Sequence, residues 1–183
     1  MRAFVAIGLD FVREWGGLAM ENGKDLLPVQ LRWMTELDLE AVFELEQRES
    51  AHPWDALELA SVLNRPDAAA MVAEFEGRIV GFIIYICNDS CLKICNIVVS
   101  KDFRRCGVGA QMMAKIACRL TRSVRDSILL EVRETNLTGQ LFFRSLGFRA
   151  ISIERASYDS GEDAYIMQYR HRPKVLPTQM AVY

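Results

Sequence analysis

Apolar and polar positions alternate along the chain with two different periods, which divide it into strands and helices. Apolar runs rich in β-branched residues predict strands at 29–34, 71–75, 79–87, 93–99, 128–132, 148–154 and 163–169. Apolar residues at three- and four-residue intervals predict helices at 35–45, 55–64, 110–124 and 137–146. Strands and helices mixed in this order indicate one α/β domain.

Short polar segments mark the ends of these elements. Thr35, followed by Asp38 at the third position, is typical of a helix N-cap. The stretch Glu46–Trp54 is expected to be a loop, because Pro53 resists helix and pushes the residue before it to an extended shape. Glu76-Gly77 predicts a tight turn between two antiparallel strands.

The chain divides into three segments. Residues 29–170 carry the predicted strands and helices. Residues 1–28 precede them as an extension in which the apolar residues from Phe4 to Trp15 predict a short amphipathic helix that ends at Gly16-Gly17. Residues 171–183 form a tail with two prolines and no clear period. Asp10 breaks the first apolar run and no run reaches transmembrane length, so neither a secretory signal nor a membrane span is expected.

Composition narrows the function classes. A chain of 183 residues that is 51% hydrophobic, with a formal net charge of −2, suits one globular domain with a core. The near-neutral balance gives no reason to expect nucleic acid or a membrane as partner. Five cysteines, mostly in apolar runs, favour reduced thiols in a cytoplasmic protein. With no Cys-x-x-Cys pair and only two histidines, no metal site is expected.

The stretch from Lys93 to Ala110 is the first candidate for chemistry. It is a predicted strand, then a turn with two arginines and two glycines, then a helix. A glycine-bearing turn at a helix N-terminus presents free N–H groups and a positive dipole end, which favour a phosphate. The basic residues from Lys101 to Arg125 fit either a solvated helix face or a polyanionic ligand. We expect this turn to hold a pyrophosphate.

Glu131 is the second candidate, because it interrupts the apolar strand at 128–132. A buried, ionised carboxylate is costly unless it has a partner or a task. One reading places it on an exposed face, paired with Arg133; the other places it in a cleft, where partial desolvation suits a general base. Asn136 is most simply a helix cap. Tyr158 and Trp54 lie in predicted loops and are candidates to line a pocket.

These residues together resemble the GNAT superfamily of acetyl-CoA-dependent N-acetyltransferases over about residues 29–170. The Q/R-x-x-G-x-G/A loop of that superfamily matches Arg104 to Gly109. Within it the chain is similar to the RimI-type ribosomal-protein N-terminal alanine acetyltransferases. That likeness rests on five further blocks: Glu46-Gln47-Arg48 with Pro53-Trp54, Asn96 to Val99, Leu130 to Arg133 with Asn136, Ser145 to Phe148, and Glu162 to Ala164 with Ile166-Met167.

The resemblance implies a mixed, mostly antiparallel sheet of about seven strands flanked by helices, and a role for each matching position. Glu131 would take a proton from the incoming ammonium through water, and the neutral amine would attack acetyl-CoA directly. A backbone N–H along the strand would polarise the thioester carbonyl. The residues expected to contact acetyl-CoA are Ile97, Val98, Val99, Arg104, Arg105, Cys106, Gly107, Val108, Gly109, Ala110, Asn136 and Phe143.

Two departures from the RimI-type pattern concern the acceptor side. The tyrosine that protonates the leaving thiolate there is Phe143 here, so water or Tyr158 must serve. The loop from Arg155 to Glu162 is also shorter than the tyrosine-bearing loop of that group. Three readings stay open: acetylation of a protein N-terminus such as that of a ribosomal protein, acetylation of a small amine, or a CoA-binding module with little catalysis. The oligomeric state, monomer or dimer, is left open.

Overall fold

A computed structural model describes residues 26–120 and 125–170. One sheet contains seven strands: β1 (Gln30–Trp33), β2 (Ala68–Phe75), β3 (Arg78–Cys87), β4 (Cys91–Val99), β5 (Ser127–Arg133), β6 (Arg149–Glu154) and β7 (Ala164–Arg170). The α-helices of the described part are α1 (Leu39–Glu49), α2 (Ala56–Leu63), α3 (Val108–Ala117) and α4 (Leu137–Ser145). The predicted mixed α/β fold with about seven strands is confirmed.

The strands lie in the order β1-β2-β3-β4-β5-β7-β6. Every neighbouring pair is antiparallel except β4 and β5, which are parallel. The Glu76-Gly77 turn between β2 and β3 has both residues at positive φ, 49° and 74°, as a two-residue hairpin with the right-handed strand twist requires. A parallel pair needs a crossover, and α3 supplies it. The predicted pyrophosphate turn and α3 therefore connect the two parallel strands, β4 and β5.

Helices cover the two faces of the sheet unequally. The larger apolar core lies under α3 and α4 and includes Met112, Met113, Ile116 and Phe143. The smaller core lies under α1 and α2, where Val42, Leu45 and Leu59 pack on residues of β2, β3 and β4. On the second face the half of the sheet formed by β5, β7 and β6 has no described helix over it, and all six residues of β6 are exposed. This uncovered half leaves room for a second molecule.

Two predicted boundaries were wrong. The stretch Glu46–Trp54 was expected to be a loop, but α1 continues through Glu49 and the loop begins at Ser50. The reason is burial: Glu46 is only 1% exposed, and its carboxylate accepts a bond from the Trp54 N–H. The helix expected to reach 124 ends at Ala117. Residues 121–124, the predicted N-terminal helix and the C-terminal tail lie outside the described residues.

Within the described residues no helix is both long and apolar enough to cross a bilayer. All five cysteines are free thiols. Among the described side chains there is also no group of three or more histidine, cysteine or acidic residues that could hold a metal ion.

The predicted cap at Thr35 is part of a charged cluster that joins β1 to α1. The carboxylate of Asp38 accepts bonds from the Thr35 N–H (2.8 Å) and hydroxyl (2.9 Å). It also accepts two bonds from the Arg32 guanidinium, at 2.7 and 2.8 Å, while Arg32 binds Glu74 at 2.9 Å. The hydrogen bonds from Arg32 lower the pKa of Asp38 below its usual value, because their effect is larger than the opposing effect of burial.

We predict that Asp38→Asn lowers the free energy of unfolding by about 1 kcal/mol, the size of a lost cap with a partly exposed ion pair. Because the folded-state pKa of Asp38 is depressed, its carboxylate stabilises the fold above the unfolded pKa of about 3.9 and loses this effect as the pH falls below it. Urea unfolding between pH 7 and pH 2 should therefore show a smaller acid loss in the variant. The exposed Glu36→Gln is the control; equal acid losses in wild type and Asp38→Asn would contradict the prediction.

Candidate active site

The parallel strands β4 and β5 separate partway along their length. Their pairing begins at Cys91 and Ser127 and ends at Ile94 and Leu130, although β4 continues to Val99 and β5 to Arg133. On the other side of β4 the register with β3 shifts between Ile84 and Tyr85, which leaves Cys95 as an extra, bulged residue. The bulge coincides with the point at which β4 leaves β5. The result is a wedge-shaped gap between the two strands.

The backbone of Ile97 and Val99 faces this gap. The Ser100 N–H donates to Val80 at 2.9 Å, so Ser100 and its partner form a hydrogen-bonded pair of the antiparallel ladder. Such pairs alternate along the strand, so Val98 also directs its N–H and C=O to β3. Ile97 and Val99 then direct theirs to the β5 side. The N–H groups of both residues and the Ile97 carbonyl therefore form a row along one wall of the gap, while the Val99 carbonyl accepts a bond from Arg104.

The turn that follows has the backbone of an anion-binding nest. Arg105 and Gly107 both have positive φ, 65° and 80°. Gly107 is the N-cap of α3, so the N–H groups of Val108, Gly109 and Ala110 are among the first-turn donors that lack partners within the helix. A Cβ on Gly109 would lie 2.9 Å from Cζ of Phe142, so any larger residue here would require the Phe142 ring to shift. The turn therefore has free amides at a positive helix end.

Arg104 and Glu49 fasten the end of β4 to α1. The Arg104 guanidinium donates to the Val99 carbonyl at 2.9 Å and to the Glu49 carboxylate at 3.1 Å. The same carboxylate accepts the Lys101 N–H at 3.0 Å and the Ser100 hydroxyl at 3.4 Å. Burial raises the pKa of Glu49, but the bonds from Arg48 and the Lys101 N–H and the charge of Arg104 outweigh it and lower the pKa overall. Glu49 thus remains a carboxylate that holds the start of the turn.

A second fastening holds the turn from the N-terminal side of the domain. The Leu27 N–H donates to the Cys106 carbonyl at 3.0 Å. The Gln111 side chain donates to the Leu27 carbonyl at 2.8 Å and accepts the Val29 N–H at 3.5 Å. These bonds fix the backbone of the turn at Cys106 and the first turn of α3 at Gln111.

Glu131 lies on the uncovered half of the sheet and is paired with a lysine. Its neighbours Leu130 and Val132 point into the core under α3, so alternation directs Glu131 to the opposite face. The Lys93 Nζ lies 2.6 Å from Oε1 of Glu131, with the two side chains 44% and 32% exposed. Arg133, which sequence reasoning offered as the partner, binds Glu162 instead. The Lys93 contact depends on the parallel register of β4 and β5, for which no local pattern in the sequence exists.

Tyr158 lies in the loop between β6 and β7, with its ring stacked on the guanidinium of Arg133 at 3.6 Å. Glu162 accepts bonds from Arg133 at 2.6 Å, from the Thr135 hydroxyl at 2.5 Å and from the Ser160 hydroxyl at 2.7 Å. The two hydroxyls, and then Arg133, lower the pKa of Glu162 to about 2. The short loop is therefore held by the cation–π contact and by two carboxylates, since Asp163 also accepts bonds from the Ala156 N–H and from Arg155.

The hydroxyl of Tyr158 remains protonated at neutral pH. Burial raises the pKa of Tyr158, and the positive charge of Arg133 lowers it by a smaller amount. The negative charges of Glu131, Glu162 and Glu154 raise it further. Arg133 lies two residues from Glu131 on β5, so the Tyr158 ring that stacks on Arg133 lies on the face that carries Glu131.

Asn136 and Phe143 occupy structural positions on α4. Asn136 is the N-cap, and its side-chain oxygen accepts the Gly139 N–H at 2.9 Å. Phe143 is only 6% exposed and packs edge-on against Phe148 with ring centroids 5.5 Å apart. Phe142, its neighbour, is the residue that closes on Gly109.

Sequence reasoning did not anticipate the role of Glu46 and Gln47. The Glu46 carboxylate accepts the Trp54 N–H at 3.0 Å, and the Gln47 amide donates to the Trp54 carbonyl at 2.7 Å. Both backbone groups of Trp54 are thus held from the last turns of α1. The available signal was the pairing of Glu46-Gln47 with Pro53-Trp54 in one block of the resemblance. These bonds position the loop beside the second face of the sheet.

Comparisons with known proteins agree with this geometry. Residues 39–148 match the Acetyltransferase (GNAT) family. The chain is 30% identical over 133 residues to the ribosomal protein bS18-alanine N-acetyltransferase of Escherichia coli strain K12, covering 71% of this chain and 89% of that protein. The crystal structure of the ribosomal-protein-S18-alanine N-acetyltransferase from Escherichia coli superimposes with a TM-score of 0.69 at 28% identity, over 81% and 99% of the two chains. Arabidopsis thaliana NAA60, solved in complex with acetyl-CoA, shares the fold with a TM-score of 0.67 at 16% identity, over 78% and 98%.

Proposed function

Because this chain belongs to the GNAT acetyltransferase family and is an acetyl-CoA-dependent N-acetyltransferase, we propose that it acetylates the N-terminal α-amino group of a protein. The observation that carries the proposal is Glu131, a carboxylate on the uncovered face beside the gap between β4 and β5. The similarity to an enzyme named for an N-terminal alanine supports a peptide acceptor. A ribosomal protein is the corresponding candidate partner.

Acetyl-CoA is expected to lie along the gap and to end at the turn. The pyrophosphate is assigned to the amides of Arg105 to Ala110, and the pantetheine arm to the backbone of Ile97 to Val99. A backbone N–H of this row is a suitable donor to the thioester oxygen. Phe143 and Asn136 then support the cofactor from α4, Phe143 through its packing and Asn136 as the cap that begins the helix.

Glu131 is proposed to take the proton from the acceptor's ammonium, directly or through one water. An α-amino group has a pKa of about 7.7–8.0, so its deprotonation near neutral pH costs little free energy and a carboxylate is a sufficient base. The neutral amine attacks the acetyl carbonyl, the C–S bond breaks, and the nitrogen releases its second proton to solvent as the amide forms. The thiolate of CoA leaves and takes up a proton.

Tyr158 is proposed as the donor of that last proton, because Phe143 has no proton to give. Its raised pKa keeps the phenol protonated at neutral pH. A thiolate has a conjugate-acid pKa of about 8.5 and leaves readily. A donor therefore assists the step without being indispensable.

We predict that Glu131→Gln lowers kcat/KM for an Ala-starting peptide at least about 10²-fold at pH 7, since the amide cannot accept the proton. Binding of acetyl-CoA, measured by calorimetry, should change less than about twofold. Glu154→Gln, at an exposed residue of the edge strand β6 in the same sheet, is the matched control and should retain most activity. Unchanged peptide acetylation in Glu131→Gln would refute the assignment.

Tyr158→Phe keeps the ring on Arg133 and removes only the hydroxyl. We predict a fall in kcat of about tenfold, with little change in peptide KM, because only proton transfer to the thiolate is affected. Replacing acetyl-CoA with a thioester whose leaving thiol is more acidic should reduce the difference. An equal loss with both thioesters would contradict the assigned role.

Gly107→Ala should weaken acetyl-CoA binding on the order of tenfold. An alanine at a φ of 80° is strained by about 1 kcal/mol, and relief of the strain turns the amides of the nest away. Gly77→Ala is a matched control, because Gly77 has a φ of 74° with open space around it and lies in the β2–β3 turn. Both variants should lose similar stability, and only Gly107→Ala should bind acetyl-CoA more weakly. Equal binding in the two variants would refute the placement of the pyrophosphate.

A further inference from the structure

The proposed base already has an ammonium group against it. Lys93 pairs with Leu129 in the parallel register, and Glu131 lies two residues further on the same face. The Lys93 Nζ therefore reaches Oε1 of Glu131 at 2.6 Å, from the strand that lines the gap. A primary ammonium paired with a carboxylate is the same arrangement that an acceptor's α-ammonium makes when it reaches Glu131.

An acceptor at Glu131 changes the partners of Lys93. Two ammonium groups beside one carboxylate repel each other, so the acceptor displaces Lys93 or binds beside it at a cost. The Glu131 bond raises the pKa of Lys93, so the lysine is fully charged at neutral pH before the acceptor arrives. Once displaced, this half-buried cation has lost its nearest counter-ion.

Other carboxylates on this face are engaged or distant. Glu162 is bound by Arg133, Thr135 and Ser160. Asp67 is bound by Arg65 at 2.8 Å. Glu154 acts on the pKa of Lys93, but more weakly than Glu131 does. Among the described residues, then, Glu131 is the one carboxylate that forms an ion pair with Lys93. A replacement counter-ion is most readily supplied by the acceptor.

We propose that Lys93 is a specificity-determining residue that selects acceptors with a carboxylate in their first two residues. This inference rests on the proposed function, with Glu131 at the acceptor amine. An acidic side chain pairs with the displaced lysine while the amine pairs with Glu131, so both charges of the Lys93–Glu131 pair exchange partners. A neutral acceptor leaves Lys93 unpaired, and a basic acceptor adds a second positive charge to it.

The test is a competition between peptides that differ at one position. One peptide series carries Glu, Gln or Lys as its first residue, and a second series begins with Ala and carries Glu, Gln or Lys as its second residue; kcat/KM is measured for each peptide with the wild type. The variants are Lys93→Met, which keeps the length without the charge, Lys93→Arg, which keeps the charge, and Lys93→Glu, which reverses it. Thermal unfolding and acetyl-CoA binding verify that each variant is folded.

We expect the wild type to prefer Glu over Gln about threefold to fivefold, the discrimination of one partly exposed ion pair. Lys93→Arg should retain the preference, Lys93→Met should abolish it, and Lys93→Glu should favour the Lys peptide. Equal use of Glu and Gln peptides by the wild type, or a preference that survives in Lys93→Met, overturns the inference and leaves the proposed function standing. No acetylation of any peptide by the wild type overturns the proposed function and the inference with it.

Discussion

The separation of β4 from β5 is the constraint on which the rest of the site depends. A parallel pair normally continues as long as both strands do, because an unpaired backbone group removed from water is costly. Here the pairing stops at Ile94 and Leu130 while both strands continue. The acyl and pantetheine parts of acetyl-CoA carry amide and thioester groups that can bond to such a strand. The gap is thus an interrupted sheet whose ladder a co-substrate can continue.

Several neighbouring features hold the two strands apart. The bulge at Cys95 bends β4 where the pairing ends. Arg104 and Glu49 then hold the far end of β4 against α1, through the Val99 carbonyl and the Lys101 N–H. The close approach of Gly109 to Phe142 sets α3 against α4, which follows β5. Each strand is therefore anchored to a different helix, and the free amides of α3 begin at the open end of the gap.

The sequence predicted the parts of this arrangement that have local causes. The β-branched runs predicted the strands, and two glycines near Arg104 predicted a turn before a helix. The extra turn of α1 was missed because it depends on a tertiary bond, from the Trp54 N–H to buried Glu46. The strand separation and the Lys93–Glu131 pair were missed for the same reason, since both follow from the register of strands more than 30 residues apart. Local pattern therefore identifies the turn proposed for the cofactor, while the surroundings of Glu131 depend on pairings that only the fold creates.

The position of Phe143 shows how catalytic and structural demands divide on α4. Its ring is 6% exposed and packs on Phe142 and Phe148 as part of the main core. In this environment a phenol would need a partner for its hydroxyl, whereas a phenyl ring needs none. The core thus accepts phenylalanine readily, and the proposed mechanism needs a proton donor outside the core. Tyr158 fits that proposal, because Arg133 holds its ring in the short β6–β7 loop, on the face that carries Glu131.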